Sequence, residues 1–409
     1  MKILHTADWH IGKQLKKQSL NPELRLYFQW LADLLSTQHY DLLVVAGDIF
    51  DSYNPKADDR ALYYETLNLL SNAVGRIIIT GGNHDSIAVL NAATPILDSL
   101  NISVIGGATE DLKDELLAVE SSDGDSCVIA AIPYLRDRDV LANQTFDNDR
   151  DRPSQIRAGY ERHYRAVYGL AKDLYPSLPL IGMGHLYATG AKVSDSERDI
   201  QVGNQGAVEA TIFEGYDYVA LGHIHRPQRV SKLETVRYSG SPVALSFSEK
   251  SDRKTVVSIT LGKGKVQGIE SIDVPQFREL QTLSGTLSEV QDALGKYNTT
   301  CPLPTFLEVI VKEQVKDISK IPLVEQVIKE YNETSTQGKI LKHTIKFDES
   351  EDNIDALFVA GTQIDELTHH EVFDELLAMR SQDKESINQL TKTYAELAEN
   401  YQTYLDETA

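Results

Sequence analysis

The chain has 409 residues, with 61 acidic against 40 basic side chains and a formal net charge of −21. That length holds two or three domains at roughly 150 residues each, and 41% hydrophobic with 25% charged residues exclude a disordered, collagen-like or disulfide-scaffold protein. Only two cysteines, Cys127 and Cys301, no apolar run near the ~20 residues of a membrane span, and no signal-peptide pattern at the N-terminus predict a cytoplasmic protein without a cysteine-rich zinc module.

Short apolar runs at 2–7, 42–46, 76–80, 102–105, 127–132, 180–183, 218–221 and 255–261 read as strands. Leu24, Tyr27, Phe28, Leu31, Leu34 and Leu35 recur at helical spacing between the first two. Leu62, Thr66, Leu69, Leu70 and Ala73 do the same between the second and third. The alternation predicts a layered α/β domain over residues 1–272. After Pro275 come a strand at 278–283, a helix at 287–297, a strand at 306–312, a helix at 318–331 and a strand at 340–347. This is a small α+β domain over 275–347, with no catalytic constellation of its own.

Residues 348–355 are acidic and read as a linker. In the helical tail over 348–409, Ile387, Leu390, Tyr394, Leu397, Tyr401 and Tyr404 form an a/d seam of about two and a half heptads. The seam has three candidate occupants: the small domain, a second copy, or a partner helix. Acidity is uneven. Residues 345–409 carry 16 acidic and 4 basic side chains, a net of −12, which leaves only −9 for the first 344.

Chemistry gathers where strands end. Asp8 and His10 follow the first strand, Asp48 the second, and Asn83, His84 and Asp85 the third. His185 follows the strand ending at Met183, and His223 and His225 the one ending at Leu221. In open α/β sheets the site forms outside the carboxyl ends of strands, so these loops should converge. Carboxylates, imidazoles and one amide suit a two-metal site and favour Mn²⁺, Fe²⁺ or Zn²⁺ over an all-oxygen cage. Glycines before Asp48, Asn83, His185 and His223 would let the backbone approach the ions. A D-x-H or G-H pair alone is weak; the ordered set of five strand ends is strong.

The order D-x-H, G-D, G-N-H-D, G-H and G-H-x-H resembles that of the calcineurin-like metallophosphoesterases. Residues 1–9, 46–51, 82–86, 132–139 and 221–226, with Ser239-Gly240-Ser241-Pro242, are similar to the Mre-type nucleases within that family. The resemblance implies that Asp8, His10 and His225 hold one ion and Asn83, His185 and His223 the other, with Asp48 bridging. It makes His84 the catalytic histidine, and Asp85 either orients that imidazole or satisfies a backbone donor. It further implies two divalent ions, foremost Mn²⁺, and DNA ends and hairpins as substrates. The activities expected are 3′–5′ double-strand exonuclease and single-strand or hairpin endonuclease, serving recombination, repair and replication. The expected partner is an SMC-like coiled-coil ATPase, docked by the tail, with a homodimer inside the heterocomplex through the apolar helices at 24–35 and 62–73. Archaeal and eukaryotic relatives place a histidine three residues after the bridging aspartate. Here that position is Asp51, as in the bacterial branch.

The remaining histidines read more plainly. His5 lies inside a strand and is structural, His39, His163 and His343 are surface residues, and His369 and His370 an exposed helix face. Lys13, Lys16, Lys17, Arg136, Arg138, Lys192, Arg198, Arg226 and Arg229 follow the ligand loops and would contact phosphates. The acidic balance nevertheless predicts weak DNA binding by the isolated chain. Two rivals stay open: a stand-alone phosphatase or phosphodiesterase on a small substrate, and a non-catalytic scaffold.

Overall fold

A computed structural model describes residues 1–141, 152–192, 207–313 and 319–347, with residues 377, 390, 391, 393 and 394 of the tail. The chain divides into two compact units, one within residues 1–275 and one over 276–347 together with 14–18 and 246–250.

Over residues 1–275 the elements are β1 (Lys2–Thr6), β2 (Gln14–Leu15), β3 (Gln18–Ser19), α1 (Asn21–Gln38), β4 (Leu42–Ala46), α2 (Ala57–Ser71) and β5 (Arg76–Thr80). They continue with α3 (Ile87–Asn91), α4 (Thr94–Asp98), β6 (Ile102–Ile105), β7 (Leu116–Glu120), β8 (Ser126–Ala131), α5 (Asp137–Leu141) and α6 (Arg152–Leu174). Then follow β9 (Leu180–His185), β10 (Tyr218–Gly222), β11 (Gln228–Arg229), β12 (Val236–Tyr238), β13 (Thr255–Gly262) and β14 (Lys265–Asp273). Two six-stranded sheets result, ordered β14-β13-β1-β4-β5-β6 and β11-β12-β10-β9-β8-β7. β1, β4, β5 and β6 of the first sheet run parallel, as do β12, β10, β9 and β8 of the second, while β13 and β14 at one edge of the first and β11 and β7 at the edges of the second pair antiparallel. The ends that matter for the site therefore all point one way.

Strand alternation builds the core. Ile3, Leu42, Val44 and Ile78 of one sheet join Ile129, Ile181, Met183 and Tyr218 of the other in one buried cluster. His5 belongs to that layer, its Nδ1 2.9 Å from the Tyr218 hydroxyl, and burial pushes its pKa down to about 3. It is the structural histidine expected. On the outer side of the second sheet, Tyr160, Tyr164, Val167 and Ala171 of α6 pack on Val128, Leu180 and Val219. That helix was not expected, although its spacing of four, three and four is helical.

The apolar stripes read on the helices at 24–35 and 62–73 turn mainly inward, and Tyr64 of α2 remains 39% exposed. Leu24, Tyr27, Phe28, Leu31, Leu34 and Leu35 of α1, and Leu62, Thr66 and Leu70 of α2, are buried within the chain. Their outward sides carry polar pairs such as Arg25–Glu65 at 2.6 Å. His163, expected at the surface, is only partly exposed. It meets the fully buried Glu115 at 2.8 Å.

The second unit comprises β15 (Leu280–Gly285), α7 (Leu287–Lys296), β16 (Thr305–Glu313), α8 (Lys320–Thr334) and β17 (Gly338–Phe347). All three strands run parallel, in the order β15-β16-β17. Thr286 and Glu289 form a capping box at the start of α7. Val290, Leu294, Leu307, Val309, Val311, Val324 and Ile340 make the core. Leu390 and Tyr394 of the tail seam are helical, while its other four members, Arg198, His369 and His370 lie outside the described residues. Among the described residues no helix is long and apolar enough to cross a membrane.

Candidate metal centre

The loops after β1 and β4 zip together beyond the sheet. Asp8, His10 and Ile11 donate their N–H groups to the carbonyls of Gly47, Asp48 and Ile49 at 3.0, 3.0 and 2.9 Å. Asp8, His10, Asp48 and His223 all have positive φ, at 53°, 46°, 50° and 98°. Such conformations cost about 1–3 kcal/mol each outside glycine and persist where the surroundings over-determine them. Four of the seven expected ligands are held this way.

Two buried trios of donor atoms result, Asp8–His10–His225 and Asp48–His185–His223, each with its atoms within 4.8 Å of one another. His10 Nε2 faces His225 Nε2 at 3.1 Å. The Asn83 carbonyl oxygen stands 2.9 Å from His185 Nε2 and 3.0 Å from His223 Nδ1. Asp48 Oδ2 lies between the trios, 3.5 Å from His10 Nε2 and 3.2 Å from His185 Nε2. Ligands about 2.0–2.2 Å from one ion stand about 3.0–3.5 Å from each other at right-angle or tetrahedral geometry. The donors present fit two divalent ions, with Asp48 in the shared position.

Outer partners decide which nitrogen each ring turns inward. His185 Nδ1 donates to the Ala46 carbonyl at 3.0 Å, and since a carbonyl only accepts, Nε2 is left for the site. Burial alone would lower the His185 pKa, but Asp48 and Asp8 outweigh it and raise it to about 9. The same burial would raise Asp48, and the surrounding imidazoles hold it well below the usual carboxylate range. His10 and His223 are pushed down to about 4 and about 3, burial being the main cause in both.

Metal binding should therefore expel a proton from His185 and none from His10 or His223 at neutral pH. Calorimetry of the metal-stripped protein at pH 7.5, in buffers of different ionisation enthalpy, should report about one proton released per chain filled. Apparent affinity should climb with pH and level off above about 9. Proton-free binding would contradict this electrostatic picture.

His84 and Asp85 part company. The Asp85 carboxylate accepts from the N–H groups of Ile49, Phe50 and Gly82 at 3.0, 2.9 and 2.8 Å. It does not orient the His84 ring, so the backbone-donor reading of this residue is the correct one. His84 Nδ1 donates instead to the Asp51 carbonyl at 3.1 Å. No motif points to a main-chain oxygen, which is why sequence reasoning missed it.

The glycines before the ligands make room for neighbouring side chains as well as turns. A Cβ on Gly47, whose φ is +80°, would lie 2.2 Å from His185 Nδ1. One on Gly82 would lie 2.2 Å from Asp48 Oδ1. Gly47→Ala should lower unfolding stability by about 1–3 kcal/mol through left-handed strain and this clash, as read by chemical denaturation. An unchanged midpoint would refute the close approach.

Several cations expected at the rim are already paired. Arg226 meets Asp252 at 3.0 Å, Lys13 meets Asp51 at 3.1 Å, and Arg229 meets Glu234. Arg136 donates to the Asp85 carbonyl at 3.2 Å and lies 5.3 Å from the Tyr53 ring.

A family model described as calcineurin-like phosphoesterase matches residues 1–227, more than half of the chain. The SbcD nuclease of the SbcCD complex from Escherichia coli (strain K12) is 34% identical over 327 residues, covering 78% of this chain and 80% of that protein. The protein of the same name from Bacillus subtilis (strain 168) is 36% identical over 273 residues, covering 65% and 67%. That from Rhodobacter capsulatus is 35% identical over 259 residues, covering 61% and 64%. The chain thus belongs to the calcineurin-like phosphoesterases, metal-dependent hydrolases with a dimetal centre, and within them to the SbcD nuclease family.

Proposed function

We propose that this chain is the nuclease component of a DNA end-processing complex, hydrolysing phosphodiester bonds at duplex ends and hairpins. The reading rests on one observation above all: two buried donor trios meet at Asp48 where parallel strands of both sheets end. Asp8, His10 and His225 would hold one ion, Asn83, His185 and His223 the other, with Asp48 common to both. The mixed nitrogen and oxygen set favours Mn²⁺. When bound, the ions supply an activated water and positive charge at the transferring phosphoryl group.

His84 does the rest of the proton work. Its Nδ1 proton is committed to the Asp51 carbonyl, so Nε2 is the nitrogen that meets a scissile phosphate or leaving oxygen. The wider assembly follows the relatives' name. The partner is an SbcC-like coiled-coil ATPase, docked by the tail around 387–404, in the cytoplasm, and the unit at 276–347 serves as the capping domain. The nuclease is a homodimer within that heterocomplex. With Arg226, Lys13 and Arg229 of the rim already ion-paired and the chain at −21, most phosphate contacts fall to the ATPase.

Digestion of linear and hairpin DNA, Mn²⁺ present or withheld and ATPase present or absent, tests this against a small-ester assay. Mn²⁺-dependent DNA cleavage that the ATPase enhances is expected. Hydrolysis of small esters with DNA left intact in every arm would favour a small-substrate phosphodiesterase.

A further inference from the structure

Asp51 reaches two histidines through two different groups. Its carboxylate Oδ1 lies 3.2 Å from His10 Nδ1 and 3.1 Å from Lys13 Nζ. Its main-chain carbonyl accepts from His84 Nδ1 at 3.1 Å. The loop that carries it is fixed on both sides. Asp51 N–H donates to the Ile11 carbonyl at 3.1 Å, and the two preceding N–H groups are held by Asp85.

We infer that Asp51 is a positioning residue whose carboxylate sets the metal affinity of the first trio by fixing the tautomer and angle of His10, while its carbonyl independently sets His84. An ionised carboxylate only accepts, so the proton of His10 sits on Nδ1 and the Nε2 lone pair points inward. That Nε2 is the atom 3.1 Å from His225 Nε2 and 3.5 Å from Asp48 Oδ2. Lys13 occupies the same carboxylate oxygen and balances its charge. A histidine at this position could neither pair with Lys13 nor offer an anionic acceptor to His10.

The inference rests on the metal reading above, and it makes two effects separable. Changing the side chain at 51 disturbs His10 and leaves the carbonyl partner of His84 in place. Outer partners of metal-bound histidine typically contribute about 10–100-fold to affinity.

The test is calorimetric titration of the metal-stripped full-length protein with Mn²⁺, followed by turnover at saturating Mn²⁺. Wild type should bind two ions. Asp51→Ala should weaken one of the two by about 10–100-fold, so that correspondingly more Mn²⁺ is needed to reach saturation. Asp51→Asn, whose side-chain oxygen still accepts from Nδ1, should recover most of the affinity. Unchanged affinity in Asp51→Ala overturns the inference, as does equal impairment in the two variants. Three ions per wild-type chain would overturn it too, because His10, Asp51 and His84 also lie within 4.8 Å and would be ligating directly. Wild type binding no Mn²⁺ would instead sink the metal reading itself.

Discussion

His84→Ala should lower turnover by about 10²–10⁴-fold while leaving two ions per chain. The ring lies outside both buried trios, with Nδ1 turned to the Asp51 carbonyl and its centroid 5.0 Å from that of His10. Removing it deletes a proton donor without opening the metal shell. The backbone N–H of His84, which donates to Asp48 Oδ1 at 3.0 Å, survives the substitution, so the shared carboxylate keeps its support. Metal content by elemental analysis and single-turnover cleavage of linear DNA separate the two effects. Loss of metal together with activity would make His84 a ligand. Retained activity would remove it from the reaction.

How much of this was visible beforehand depends on the kind of interaction. The convergence of the seven candidate donors was legible because the chain spells each one after an apolar run, most of them beside a glycine, and β-sheet topology carries such ends to one rim. Asp85 shows the limit. It follows His84 directly, yet its carboxylate closes a loop across the sheet by taking N–H groups of Ile49, Phe50 and Gly82. Adjacency in sequence said nothing about which way the side chain turns.

Asp51 shows the complementary case. Its carbonyl has no sequence signature, since every residue carries one. The missed elements have physical reasons as well. β14 has no buried residue over nine positions and forms only because Lys263 and Gly264, at φ 54° and 71°, make the tight turn back from β13. The α6 helix hides its apolar stripe in tyrosines, which hydropathy undercounts although Tyr160 and Tyr164 bury fully or nearly so. The stripes on α1 and α2 carry the converse lesson. An apolar stripe reports burial, and here the chain itself supplies the partner.

Asp48→Asn should have the largest effect of all, because one carboxylate serves both trios. An amide can replace its shape and still accept the His84 N–H, but not its charge. Loss of both ions is expected, with DNA cleavage falling at least about 10³-fold, the scale on which removing transition-state charge stabilisation acts. In the metal-free protein the same change touches folding. His185 has its pKa raised to about 9, Asp48 and Asp8 overcoming burial. A histidine raised in the folded state adds stability fully present below its unfolded value near 6.5 and lost as pH rises through the folded one. Without the Asp48 charge His185 escapes by releasing its proton, so the penalty at pH 7 is about 3 kcal/mol, the two-unit gap between that pH and its raised pKa. Denaturation in chelator should therefore find Asp48→Asn fully destabilised at and below about pH 6.5, with the deficit shrinking as pH rises and nearly gone above about pH 9. A difference that stays constant across that window would show that Asp48 does not hold the His185 charge.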